Sequence, residues 1–150
     1  LAQAQNAERR GDLTEAITAY GDALDVNGDL DIAWLGRGRC RIEQGDYAAA
    51  LSDLKHAQAL NTQSTKPILQ MGHLYYARKA YEQALHYYDE VVGRESQNAF
   101  ALAKRGLCYH YLEQAEAAVS DLELALAIEP NNTKIRRCLE MVQLPFNNEG

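Results

Sequence analysis

Small and bulky apolar residues recur along the chain at a fixed spacing of 34 positions. One column holds only alanine and glycine, at Ala4, Gly38, Gly72 and Gly106. A second small column follows at Ala16, Ala50, Ala84 and Ala118, and a bulky one at Tyr20, Leu54, Tyr88 and Leu122. Within each period the apolar positions have the spacing of two amphipathic helices. The pattern therefore predicts a stack of similar helical pairs.

The second period shows the two helices most clearly. Its pattern predicts helix A over residues 31–44, a turn at Gly45, and helix B over residues 47–60. The same turn position is held in the other periods by Gly11, Lys79 and Glu113. An aspartate follows each of the two glycines and can cap the next helix. The lysine and the glutamate predict less marked turns in the last two periods.

These columns resemble the tetratricopeptide repeat, a 34-residue helix–turn–helix unit. The fourth period carries the family pattern most completely, at Leu102, Gly106, Tyr109, Ala118, Leu122, Ala125 and Pro130. The resemblance covers residues 1–144 and implies an all-α, right-handed solenoid. It comprises four repeats and a closing helix, at about 1–30, 31–64, 65–98, 99–132 and 133–144. Residues 145–150 are expected to form a tail.

The charge balance narrows the classes of partner. The net charge is −6 and the pI about 5.2, which argues against nucleic acid and against an anionic membrane. No apolar run approaches the roughly 20 residues that a membrane-spanning helix needs. Cys40, Cys108 and Cys138 lack metal-type spacing, so we expect reduced thiols and a cytoplasmic protein. The chain starts at Leu1 without a methionine, and we expect it to be part of a longer protein.

Residues with catalytic chemistry form no recognisable constellation. The four histidines are scattered, and there is no nucleophile elbow or phosphate-binding glycine loop. We therefore expect neither an enzyme nor a bound cofactor or metal.

The second and fourth periods share a further sequence similarity, since Arg37-Gly38-x-Cys40 recurs as Arg105-Gly106-x-Cys108. It predicts ion pairs from Arg37 to Asp53 and from Arg105 to Asp121 across each helix pair.

The resemblance places function on a concave face that is lined mainly by the helices A. The side chains expected there are basic, polar and aromatic: Arg39, Lys66, Gln70, His73, Tyr76, Phe100, Lys104, Leu107, His110 and Tyr111. Lys134 and Arg137 of the closing helix are expected to join them. Such a groove suits a protein or peptide partner with acidic and apolar side chains. Gly36 leaves space at this face for either a ligand group or a neighbouring side chain.

Two other functions stay open at this point. One is a self-assembling scaffold, in which the first unit or the convex face makes a homo-oligomer. The other is a substrate-recruiting part of a larger enzyme or co-chaperone. Capture of a chaperone's C-terminal carboxylate is disfavoured, because each alignment of the family's five-residue clamp matches this chain once. Lys66 provides the match in one alignment and Lys134 provides it in the other.

Overall fold

The computed structural model describes residues 1–144, and that range contains nine helices and no strand. The helices are α1 Ala2–Arg9, α2 Leu13–Val26, α3 Asp31–Gln44, α4 Tyr47–Leu60, α5 Lys66–Ala77, α6 Tyr81–Arg94, α7 Ala99–Tyr111, α8 Ala115–Ile128 and α9 Thr133–Gln143. The all-α prediction is confirmed, and the second period has the predicted bounds in α3 and α4. The predicted tail at 145–150 lies outside the described residues.

The chain divides into two compact units, with the boundary between Arg78 and Lys79. In the first unit each helix packs on the next, from α1 to α5, and α3 also packs on α5. In the second unit α6 packs on α7, α7 on α8 and α8 on α9, and α7 also contacts α9. The boundary falls inside the predicted third repeat, between its helix A and its helix B.

The small column is explained by close packing of helix A on helix B. A Cβ atom built on Gly38 would lie 3.0 Å from Leu54 Cδ2, and one on Gly106 would lie 3.0 Å from Leu122 Cγ. In α9 the same column holds Glu140, which is exposed. This face of α9 therefore meets water, whereas the equivalent faces of α3 and α7 are covered by a helix B.

All four turns between helix A and helix B have the same backbone conformation. The φ angle is +79° at Gly11 and +81° at Gly45, and it is +59° at Lys79 and +61° at Glu113. The prediction of less marked turns at the last two positions was therefore wrong. The stacking of the helices imposes the left-handed conformation even on residues with a Cβ, at a cost of roughly 1–2 kcal/mol each.

Helix caps and buried charges follow the predictions. The carboxylates of Asp12 and Asp46 accept hydrogen bonds from the backbone N–H groups of Glu15 and Ala49. Both predicted ion pairs, Arg37–Asp53 and Arg105–Asp121, are present, and each guanidinium donates two hydrogen bonds to its carboxylate. The closing helix begins at Thr133, where its predicted range begins, and the Asn132 side chain caps it by accepting from the N–H of Ile135 at 3.1 Å.

Candidate functional site

A cavity of about 540 Å³ lies within the first unit. Helices α1, α2, α3 and α5 line it, together with the connection between α4 and α5. Three of the predicted site residues meet here, since Arg39 comes from α3 and Lys66 and Gln70 come from α5. The remaining predicted residues of this unit, His73 and Tyr76, are half-buried further along α5.

The cavity has an apolar wall and a polar rim. Leu35 and Leu69 line the wall and are half-buried, while Ile32 beside them keeps 52% of its surface exposed. Lys66 stands exposed on the rim. On the same rim, Asp31 accepts a hydrogen bond from Asn61 Nδ2 at 3.0 Å. The arrangement offers an apolar surface next to a cation that water still reaches.

Arg39 is held by an acid of its own chain. Its Nη2 donates to Glu8 Oε2 at 2.9 Å, its Nε donates to Glu8 Oε1, and the Tyr20 hydroxyl donates to Glu8 Oε2 at 2.6 Å. Burial raises the pKa of Glu8, but the hydrogen bonds from Arg39 and Tyr20 outweigh it and lower that pKa overall. The carboxylate therefore stays ionised and neutralises Arg39. The structure thus places Arg39 at the cavity, yet its charge already has a partner.

Gly36 accommodates the Tyr20 ring. A Cβ atom at this position would lie 2.3 Å from Tyr20 Cζ, well inside van der Waals contact. Of the two roles that the sequence left open for Gly36, the structure supports space for a neighbouring side chain. The repeat pattern places Tyr20 in the bulky column, but it does not predict the bond to Glu8, because no local signal links residues on different helices.

The other five predicted residues lie on α7 in the second unit. Phe100 is 52% exposed, and Lys104 Nζ lies 5.8 Å from the centroid of its ring. Burial lowers the pKa of Lys104. Tyr111 stacks on Tyr81 with 4.6 Å between ring centroids, and His110 meets the edge of Tyr111 at 5.3 Å.

Leu107 differs from its neighbours on α7, since it is only 8% exposed. Helix α7 packs against α6, α8 and α9, and Leu107 belongs to the buried apolar residues of this helix. We therefore correct the expectation that Leu107 lines an open surface. It contributes to the core of the second unit.

Residues 1–144 offer neither a metal-binding group nor a membrane-spanning helix. This part of the chain contains no group of three or more histidine, cysteine, aspartate or glutamate side chains arranged to hold a metal ion. None of its helices combines the length and the apolar character needed to cross a lipid bilayer.

Comparison with known proteins gives matches along most of the chain. Tetratricopeptide-repeat models match residues 1–64, 41–107 and 101–132. The sequence is similar to peptidyl-prolyl cis-trans isomerase D of Eremothecium gossypii, at 34% identity over 91 residues. That match covers 61% of this chain and 23% of the isomerase. The chain spans less than a third of the length of the curated relatives it matches.

Two solved structures show the same fold. MamA from Desulfovibrio magneticus RS-1 superposes with a TM-score of 0.80 at 22% identity, over 93% of this chain and 78% of MamA. The first tetratricopeptide-repeat domain of Spaghetti (RPAP3), solved with the HSP90 peptide SRMEEVD, superposes with a TM-score of 0.69 at 20% identity. This match covers 75% of this chain and 89% of the Spaghetti domain. The chain belongs to the tetratricopeptide-repeat family, whose stacked helical pairs form protein-interaction modules.

Proposed function

We propose that the chain is a protein-interaction module whose first unit binds a partner peptide with apolar and acidic side chains. The observation that carries the proposal is the cavity of about 540 Å³, where Leu35 and Leu69 adjoin Lys66. This volume falls within the range of roughly 300–1,000 Å³ that is usual for ligand sites. It is large enough for one or two side chains of a bound segment.

Affinity at this site comes mainly from the apolar wall. Full burial of a leucine-sized side chain contributes about 1.5–3 kcal/mol. An exposed ion pair contributes less, about 0.2–1 kcal/mol, because water and salt screen it. Leu35 and Leu69 therefore anchor the peptide, and Lys66 sets its direction by pairing with a carboxylate. Arg39 is already paired with Glu8, so it does not bind the carboxylate of the peptide.

The relatives favour a peptide ligand in general, and the clamp positions argue against one particular ligand. The Spaghetti domain was solved with a bound HSP90 peptide, so a fold of this kind can hold an extended segment. Most positions of the chaperone-tail clamp, however, hold other residue types in this sequence. We therefore propose recognition of internal acidic and apolar side chains in place of a chain-terminal carboxylate.

Selection of random peptides displayed on phage tests the proposal even while the natural partner is unidentified. Selected peptides should share an apolar residue next to an acidic one. In calorimetric titrations, Leu69→Ala should weaken binding about tenfold, equivalent to about 1.4 kcal/mol, and Lys66→Glu should weaken it less, by roughly fivefold. Leu124→Ala is the control, because Leu124 is 46% exposed on α8, outside the cavity.

Circular dichroism must show that every variant keeps its helix content, so that a change in peptide affinity reflects the cavity and not unfolding. Peptides that bind Leu69→Ala and Lys66→Glu as tightly as the wild type would contradict the cavity assignment. Tyr76→Ala and Lys104→Ala, titrated separately, test whether the other predicted positions contribute. These positions, with His73, Phe100, His110 and Tyr111, stay predictions.

A further inference from the structure

The second unit presents a basic surface on its two contacting helices A. Helix α7 carries one lysine, one arginine and no acidic residue, and α9 carries one lysine, two arginines and one glutamate. Phe100 and Lys134 hold the same repeat position on these two helices, so they share a face. Lys104 and Arg137 lie about one turn further along this face. We call Phe100, Lys104, Lys134 and Arg137 the basic surface.

This surface is open to a partner. Phe100 is 52% exposed, and both Lys134 and Arg137 are exposed. Among residues 1–144, neither of these two cations forms an ion pair with an acid. An aromatic ring among several cations fits a segment that offers carboxylates around an apolar side chain.

The first unit exposes a segment of that chemistry. Residues 11–36 contain six acidic side chains and no lysine or arginine. Where α2 ends, Asp22, Asp25 and Asp29 are exposed around Val26, which keeps 89% of its surface accessible. We call these four residues the acidic corner.

The acidic corner is unfavourable for its own helix. Carboxylates close to a helix C-terminus oppose the helix dipole, and the last turn of α2 holds no basic residue to compensate. Among residues 1–144, the carboxylates of Asp22, Asp25 and Asp29 form no ion pair. These carboxylates therefore leave an uncompensated negative charge around Val26, which the cations of a partner would neutralise.

We propose that the acidic corner of one copy of the chain binds the basic surface of a second copy. The carboxylates face Lys104, Lys134 and Arg137, and Val26 packs against Phe100. Since the two surfaces differ, a single contact of this kind leaves one free surface of each kind, to which a further copy can bind. The peptide cavity of the first unit takes no part in this contact.

Sedimentation velocity with two complementary variants tests the proposal. The wild type should exceed its monomer mass of 16.7 kDa as concentration rises at about 50 mM salt, and return to monomer near 1 M salt. The corner variant Asp25→Lys/Asp29→Lys and the surface variant Lys134→Glu/Arg137→Glu should each remain monomeric. Their mixture should associate again, because the intact corner of one variant meets the intact surface of the other and the two reversed surfaces are also opposite in charge.

A matched control separates the effect of the acidic corner on association from the effect of net charge. Glu116→Lys/Glu123→Lys makes the same charge change at exposed positions on α8, and it should associate like the wild type. A wild type that stays monomeric at all concentrations would overturn the proposal, and so would a mixture that fails to associate. Capture of a different acidic protein by a monomeric wild type would also overturn it. Peptide titrations with the corner variant should match the wild type, so the two proposals fail independently.

Discussion

Asp53 in the first unit and Asp121 in the second hold the same repeat position, yet their charge balance differs. Asp53 accepts two hydrogen bonds from Arg37, at 3.0 and 2.9 Å, and one from Arg41 at 2.7 Å. Asp121 accepts two from Arg105, at 2.7 and 2.8 Å, and Arg105 also reaches Asp89 at 3.2 Å. One cluster has two cations on one acid, and the other has one cation between two acids.

The difference shows which part of each cluster the repeat requires. The two-pronged pair between helix A and helix B is common to both units, because a buried carboxylate needs a charged partner. The additional partner of the pair differs in charge, Arg41 in one cluster and Asp89 in the other. Either charge is tolerated, since both side chains lie where water reaches them. In the third period the paired positions are Met71 and Tyr87, so the repeat also tolerates replacement of the pair by larger uncharged residues.

The largest expected contrast concerns the thiols beside these clusters. Burial raises the pKa of Cys40 to about 11 and that of Cys108 to about 12. The thiolate is the reactive form, so at pH 8 Cys108 should be alkylated on the order of 1,000-fold more slowly than a free cysteine. Cys40 and Cys108 are both almost fully buried, so half-buried Cys138 should react faster than either of them. Mass spectrometry after timed iodoacetamide treatment measures the order.

Unfolding the chain in guanidinium provides the control for the thiol experiment, because all three cysteines should then react alike. Alkylation of Cys108 before Cys138 in the native protein would contradict the ranking. Such a result would mean that the second unit opens locally far more often than its packing indicates.

Removal of each buried acid should separate the two clusters. Asp53→Asn leaves Arg37 and Arg41 together without an anion, and we expect a loss of about 3 kcal/mol in the free energy of unfolding. Asp121→Asn leaves Arg105 with Asp89, so its loss should be smaller, about 1–2 kcal/mol. Urea unfolding followed by circular dichroism measures both. Equal losses would show that Asp89 does not compensate Arg105.

A smaller effect tests whether the Tyr20 contact in the first unit depends on a glycine. Gly36→Ala should displace the Tyr20 ring, weaken its bond to Glu8 and cost about 2 kcal/mol. Gly93→Ala is the matched change on a helix of the second unit, where an added Cβ meets nothing within 4 Å. That variant should gain about 0.5–1 kcal/mol from helix propensity. Thermal unfolding of both proteins measures the difference, and a stabilised Gly36→Ala would contradict the close contact.

Patterns within one helix or one repeat position were predictable from the chain alone. The 34-residue columns located α3 and α4 to the residue and identified both arginine–aspartate pairs. The turn at Glu113 was mispredicted, because propensity favours glycine there while the packed helices impose the conformation. The sequence could place Arg39, Lys66 and Gln70 on one face, but it could not show that they share a cavity.

The sequence by itself therefore determined the helices, their order and the columns that let them stack, because these follow from periodicity and from side-chain size. Only the tertiary structure decided which side chains remain available for binding. Arg39 is neutralised by Glu8, which lies 31 residues away along the chain, and the Tyr20 ring occupies the space beside Gly36. Leu107 is buried within the second unit. These outcomes depend on distances between helices, and no pattern along a single helix specifies them.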